Sequence, residues 1–182
     1  MTQPTSIHNG NGEAPLLQTA EAVESQIVIP FINPATGERY GSVPEATQEE
    51  IDTARKEMGA AAAIWTATPI EERVRILRKL QEVIIDSLDE ITAVINKDHG
   101  KSRQEAWAEV FITVEKMHLY HKKASEWLDV RKVKGGRTFL LTLSRKYYTE
   151  AMPFGVVGII GPWNYPFELV VPAMHAALLA GN

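Results

Sequence analysis

Cysteine is absent from the 182 residues. That absence excludes disulfides, thiolate metal sites and a cysteine nucleophile within these residues. It also fits a reducing compartment, and the cytoplasm is the expected location. A basic excess is missing as well: 19 Lys and Arg stand against 23 Asp and Glu, for a net charge of −4. A dedicated nucleic-acid binder carries a basic surface, so no nucleic-acid partner is expected. Met1 to Glu24 has no apolar core of the kind an export signal needs. Its Thr, Gln, Asn, Gly and Glu content reads as a mobile tail, taken here as residues 1–26.

Long uncharged runs are scarce too. From Phe154 to Ala180 the only acidic or basic side chains are Glu168 and His175, and the length matches a bilayer. Gly161-Pro162-Trp163-Asn164-Tyr165-Pro166 divides this stretch into two short apolar halves. Two prolines and an Asn would leave backbone polar groups unpaired in lipid. The better reading is a buried strand, a turn and a buried helix, with no membrane span.

What is present suits one globular domain: 45% of residues are hydrophobic and 23% charged. Ile27 to Phe31 is a β-branched strand candidate, followed by a turn at Asn33-Pro34-Ala35-Thr36-Gly37 and a returning strand at Tyr40 to Val43. Three helix starts follow. Thr47-Gln48-Glu49-Glu50 is a capping-box pattern ahead of Ile51, Ala54, Met58, Ala61 and Trp65 at helical spacing. Thr68-Pro69-Ile70-Glu71 places Pro at the first helical position. The stripe behind it runs Val74, Leu77, Leu80, Ile84, Leu88, Ile91, Val94 and Ile95, and stops near Gly100. Ser102-Arg103-Gln104-Glu105 opens the longest helix, with Ala106, Val110, Thr113, Met117, Tyr120, Ala124 and Leu128 on one face, about 40 Å in length.

After Val130 the texture changes. Lys134-Gly135-Gly136-Arg137 reads as a turn, and Thr138 to Glu150 as one or two extended strands. The basic residues around it read as edge protection. Gly155-Val156-Val157-Gly158-Ile159-Ile160 reads as a fully buried strand of a parallel sheet. Phe167 to Ala180 reads as a buried helix, with Gly181-Asn182 suiting its cap. The spacing of Gly155, Gly158 and Gly161 is not that of a phosphate-cradling loop, so close backbone packing is the expected reason for them. His118 and His121 stand at i and i+3 without a recognisable third ligand, and no metal is expected. Trp107, Met117, Tyr120 and Trp127 read as packing residues.

Asn164 is the residue with chemistry. It sits near two prolines after a strand, where open α/β sheets bind ligands. Prolines limit backbone freedom, and an amide held in one orientation can stabilise developing negative charge. The alternative is that Asn164 caps the helix beginning near Pro166. From the residues alone, both readings stand.

The segment from Pro153 to Pro166 closely resembles a signature of the aldehyde dehydrogenase superfamily. Asn33-Pro34-Ala35-Thr36-Gly37-Glu38, Gly100-Lys101-Ser102 and Ala180-Gly181-Asn182 add family-like features in the right order, over about Ile27 to Asn182. The resemblance implies an α/β fold: an incomplete Rossmann-like NAD(P)-binding domain with N-terminal helices and an oligomerisation ribbon. It divides the chain into the tail (1–26), the helical part (27–130), the ribbon (131–150) and the first strand and helix of the sheet (151–182).

By the same resemblance, Asn164 donates its amide to the aldehyde oxygen while a cysteine thiolate attacks to give a thiohemiacetal. Hydride then passes to NAD or NADP. The backbone of Ile160, Gly161, Pro162 and Trp163 lines the cleft beside the nicotinamide. The substrate is an aldehyde, oxidised to an acid, and the subunits form a homo-oligomer. The family's nucleophilic Cys, general-base Glu and cofactor-binding Lys belong after Asn182, and Glu150 and Glu168 do not occupy the base position. The 182 residues are therefore expected to be a truncated portion, inactive alone. The alternative is a non-catalytic fragment that joins full-length subunits through the ribbon.

Overall fold

A computed structural model describes residues 27–133 and 146–182. The tail assigned to 1–26, the turn at Lys134 to Arg137 and most of the Thr138 to Glu150 run lie outside the described residues.

The chain opens with an antiparallel hairpin of β1 (Val28–Ile32) and β2 (Arg39–Pro44). The turn forms because Asn33 Oδ1 accepts the Ala35 N–H at 2.9 Å and Gly37 takes a positive φ of 71°. The apolar residues of β1 do not enter a core: Val28, Ile29 and Ile32 are exposed. Tyr40 ties the hairpin to the helices, donating its hydroxyl to Asp98 with Lys97 Nζ 4.4 Å from its ring centroid. That hydrogen bond raises the Tyr40 pKa to about 12.

Four helices follow. Thr47 caps α1 (Gln48–Ala67) through a reciprocal box with Glu50. The stripe from Ile51 to Trp65 is helical as expected, yet α1 has no buried residue. Nothing in the described residues lies against most of that face, and α1 is attached by its C-terminal end. There Trp65 Nε1 donates to Leu178 O at 2.8 Å and Thr66 Oγ1 to Gly181 O at 2.7 Å.

Helix α2 (Ile70–Asp86) starts one residue later than the sequence suggests, so Pro69 is its N-cap and not its first residue. The apolar stripe runs on past Asp86, but the helix does not. Ser87 breaks it and α3 (Leu88–His99) begins anew, ending on Gly100 with φ 73°. Ser102 and Glu105 form the second capping box and start α4 (Arg103–Leu128), whose 26 residues are about 39 Å long. Ala106, Val110, Thr113, Met117 and Ala124 are buried on its face, as the spacing predicts. Helices α2, α3 and α4 pack around Ile84, Ile95, Val110 and Met117, while Leu77, Ala124 and Leu179 form a second apolar cluster.

Past α4, β3 (Arg131–Lys132) pairs antiparallel with β4 (Tyr148–Thr149). The expected buried strand at Gly155 to Ile160 is not formed. These residues carry no strand pairing, and Ile160 is 99% exposed. Among the described residues, 156–160 make no backbone hydrogen bond with other backbone groups. A parallel strand exists only against a neighbour, and none is beside it. The helix expected over Phe167 to Ala180 is shorter, α5 (Val171–Leu179), preceded by a turn with a Tyr165 O to Leu169 N–H bond of 3.1 Å. One face of it is buried, through Pro172, His175 and Leu179. Gly181 takes φ 96° and completes its cap, as expected of Gly181-Asn182.

No helix among the described residues is long and apolar enough to cross a membrane.

Candidate functional site

The segment from Pro153 to Pro166 bends at Gly155-Val156, runs without regular secondary structure to Pro162 and then turns. Its entry is fixed by Asn182, whose Oδ1 accepts the N–H groups of Phe154 at 2.6 Å and Gly155 at 3.2 Å. The same amide donates to Ala177 O at 3.0 Å. The three glycines have different reasons. A Cβ on Gly161 would run into Val170 Cγ2, so close packing holds there. Gly155 takes φ 101° in open space, which demands glycine for its backbone and not for packing. Gly158 has neither constraint among the described residues. The expectation of close packing is thus met at Gly161 alone.

Four side chains fix the turn itself. The Trp163 ring lies over His99, centroids 6.0 Å apart and planes within 19°, while remaining 81% exposed. Lys101 Nζ sits 3.9 Å from the Tyr165 ring centroid, a cation–π contact. The same ammonium is 2.6 Å from Glu109 Oε2. The other oxygen of Glu109 accepts the N–H of Phe167 at 2.9 Å and of Glu168 at 3.2 Å. Lys116 then pairs with Glu168 at 2.8 Å.

Asn164 stands between Trp163 and Tyr165, exposed, with no side-chain hydrogen bond among the described residues. It does not cap α5, whose N-cap is Val170 with no side-chain bond. The capping alternative therefore lacks its hydrogen bond here. Ile160 and Trp163 face solvent, and Gly161 and Pro162 are exposed with them.

Sequence reasoning missed Glu109, His99 and the role of Asn182. Glu109 carried a signal: it is a carboxylate on the inward stripe of α4, between Ala106 and Val110 on one side and Thr113 on the other. The contacts of His99 and Asn182 are long-range and carry none. The His121 ring meets His175 of α5, centroids 4.6 Å apart. No group of three or more metal-ligating side chains occurs among the described residues. Burial holds both His121 and His175 down, each to about 4.

These features define an α/β protein in which a helical layer presents a fixed, solvent-facing turn with a free amide. The aldehyde dehydrogenase family model matches residues 21–182, and this chain belongs to that family. It is 34% identical over 155 residues to aldehyde dehydrogenase (NAD(P)+) 2 of Saccharomyces cerevisiae, covering 85% of this chain and 30% of that protein. It is 33% identical over 159 residues to 4,4'-diapolycopene aldehyde oxidase of a Methylomonas species, covering 85% and 29%. The NADP-dependent glyceraldehyde-3-phosphate dehydrogenase of Bacillus halodurans, solved with NADP, matches with a TM-score of 0.75 at 28% identity, over 87% of this chain and 33% of that one. The fold is accordingly that of the family's α/β cofactor-binding domain in part. The chain spans about 30% of the length of these relatives.

Proposed function

We propose that this chain acts as the N-terminal part of an NAD(P)-dependent aldehyde dehydrogenase, which oxidises an aldehyde to a carboxylic acid. The observation that carries this reading is the Asn164 side chain: exposed, without a hydrogen-bond partner among the described residues, and held between two aromatic residues that each contact another element. A free amide N–H on a fixed turn can donate to a carbonyl oxygen as negative charge develops there during nucleophilic addition. In the overall reaction the aldehyde carbon gives up a hydride and gains an oxygen from water.

Ile160, Gly161, Pro162 and Trp163 fit as one wall of the cofactor cleft. All four are exposed, and the backbone of 156–160 leading to them has no backbone partner among the described residues. A nicotinamide dinucleotide held against these residues would supply the hydride acceptor. Relatives are named for NAD(P) and solved with NADP, which supports either dinucleotide here. A cytoplasmic homo-oligomer belongs to the same proposal.

In a full-length subunit carrying this sequence, Asn164→Ala should lower kcat/KM by roughly 10²–10³, the loss of one oxyanion donor. Asn164→Asp should be at least as damaging, because a carboxylate repels the oxyanion. Near-normal turnover in both variants would overturn the role. Folded variants that bind no cofactor would move Asn164 into the cofactor site.

The 182 residues by themselves contain no thiol. We therefore expect them to produce no NADH or NADPH from a panel of aldehydes, and turnover above a no-protein control refutes this. A second reading is association with full-length subunits through the 131–150 ribbon, favoured by the exposure of Val130, Val133 and Tyr148 beside the β3–β4 ladder. Co-purification of a tagged 182-residue chain with untagged full-length subunits distinguishes it.

A further inference from the structure

Glu109 is 1% exposed, and its carboxylate group is enclosed by protein. A buried carboxylate is costly to desolvate, and an apolar residue at this position of α4 would pack the core more cheaply. Its bonds run to one place. Oε1 accepts the Phe167 and Glu168 N–H groups, and Oε2 holds Lys101 Nζ at 2.6 Å. Lys101 in turn lies against the Tyr165 ring. Asn164 is thus followed directly by a residue held through Lys101, and three positions later by one held through Glu109. Its own side chain has no hydrogen-bond partner among the described residues to orient it.

We propose that Glu109 and Lys101 are positioning residues for the reaction: together they set the direction of the Asn164 amide. The proposal rests on the reading of Asn164 as the oxyanion donor. Glu109 touches neither substrate nor reacting atoms. It acts by fixing the backbone on the C-terminal side of Asn164, while the His99–Trp163 stack fixes the other side.

The test is a double-mutant cycle in the full-length subunit, with thermal unfolding of each variant measured alongside. Glu109→Gln keeps an acceptor for the two N–H groups but loses the ion pair with Lys101. It should lower kcat by about 10- to 100-fold, the effect of small misplacement of a catalytic group, with the KM for cofactor unchanged. In an Asn164→Ala background the same change should have little further effect, because the group it positions is gone. An equal loss in both backgrounds means a role in stability only and overturns the proposal. Normal turnover of Asn164→Ala alone overturns the Asn164 reading, and the coupling with it. Lys101 is at the edge of solvent, so Lys101→Met provides the same cycle if Glu109→Gln does not fold. Lys101→Arg should recover part of the loss, since it restores the charge beside Glu109. Full activity of Lys101→Met would also overturn the proposal.

Discussion

His175 and His121 bring two imidazoles together in the interior, with three ring nitrogens lacking any hydrogen-bond partner: both of His175 and Nε2 of His121. Burial is the main cause of their depressed pKa values, helped at His121 by Arg78 and His118 and at His175 by His121. The folded chain therefore binds protons less readily than the unfolded chain between about 4 and 6.5. The stability these two rings allow is full above 6.5 and is lost as pH falls toward about 4. A drop of that size corresponds to about 3 kcal/mol for one imidazole, and the two rings act on each other, so the pair contributes less than twice that. His175→Leu should flatten this acid slope in urea unfolding followed from pH 7 to 4.5. A slope unchanged by the substitution would show that other groups set it. In the sequence, His121 was visible only beside His118, because helical spacing shows neighbours within one element. Its real neighbour comes from α5, as does the main-chain partner of Glu109 from the turn before α5. The proposal for Asn164, by contrast, rests on a local string of unusual residues, so the sequence alone could raise it.

Local signals also explain which elements were legible. Both capping boxes formed as the S/T-x-x-E spacing requires, since donor and acceptor lie three residues apart. The break at Ser87 was hidden because Ile84, Leu88, Ile91 and Ile95 keep one apolar stripe across it. The strand at Gly155 to Ile160 failed for the opposite reason: its pattern describes a residue run, whereas its existence depends on a neighbour. The two caps should differ in consequence. Ser102→Ala removes about 1 kcal/mol from α4, which carries the core, so the whole chain should melt at lower temperature. Thr47→Ala weakens the N-terminal end of α1, a helix with no fully buried residue, so amide exchange should rise in α1 while the main melting transition stays in place. Equal shifts in melting temperature for both would show that α1 is coupled to the core more tightly than its contacts indicate.

At the scale of the molecule, large apolar side chains stay exposed on every helix but α5, on β1 and along 152–169. Phe154, Ile160 and Trp163 are exposed, and an apolar groove of about 440 Å³ runs between α1 and α5, lined by Met58, Trp65, Val156, Val157, Met174 and Leu178. Monomers seldom leave large contiguous apolar patches in water. The 182-residue chain should therefore bind a hydrophobic dye and associate with rising concentration in light scattering. A monodisperse monomer with a sharp, cooperative melt and no dye binding would contradict this. The family was legible from the signature and its companions, whereas the exposure of this surface was not, since it depends on what packs beside it.

Asn182 has a geometric consequence of its own. Its side chain joins Phe154 and Gly155, 28 and 27 residues earlier, to the carbonyl of Ala177. The excursion between them is a lariat closed by one amide, and closing a loop of that length costs about 3 kcal/mol of chain entropy. Both ends of the lariat are pinned, so an added residue at 156–160, which has no backbone partner, should bulge toward solvent rather than push Asn164 out of register.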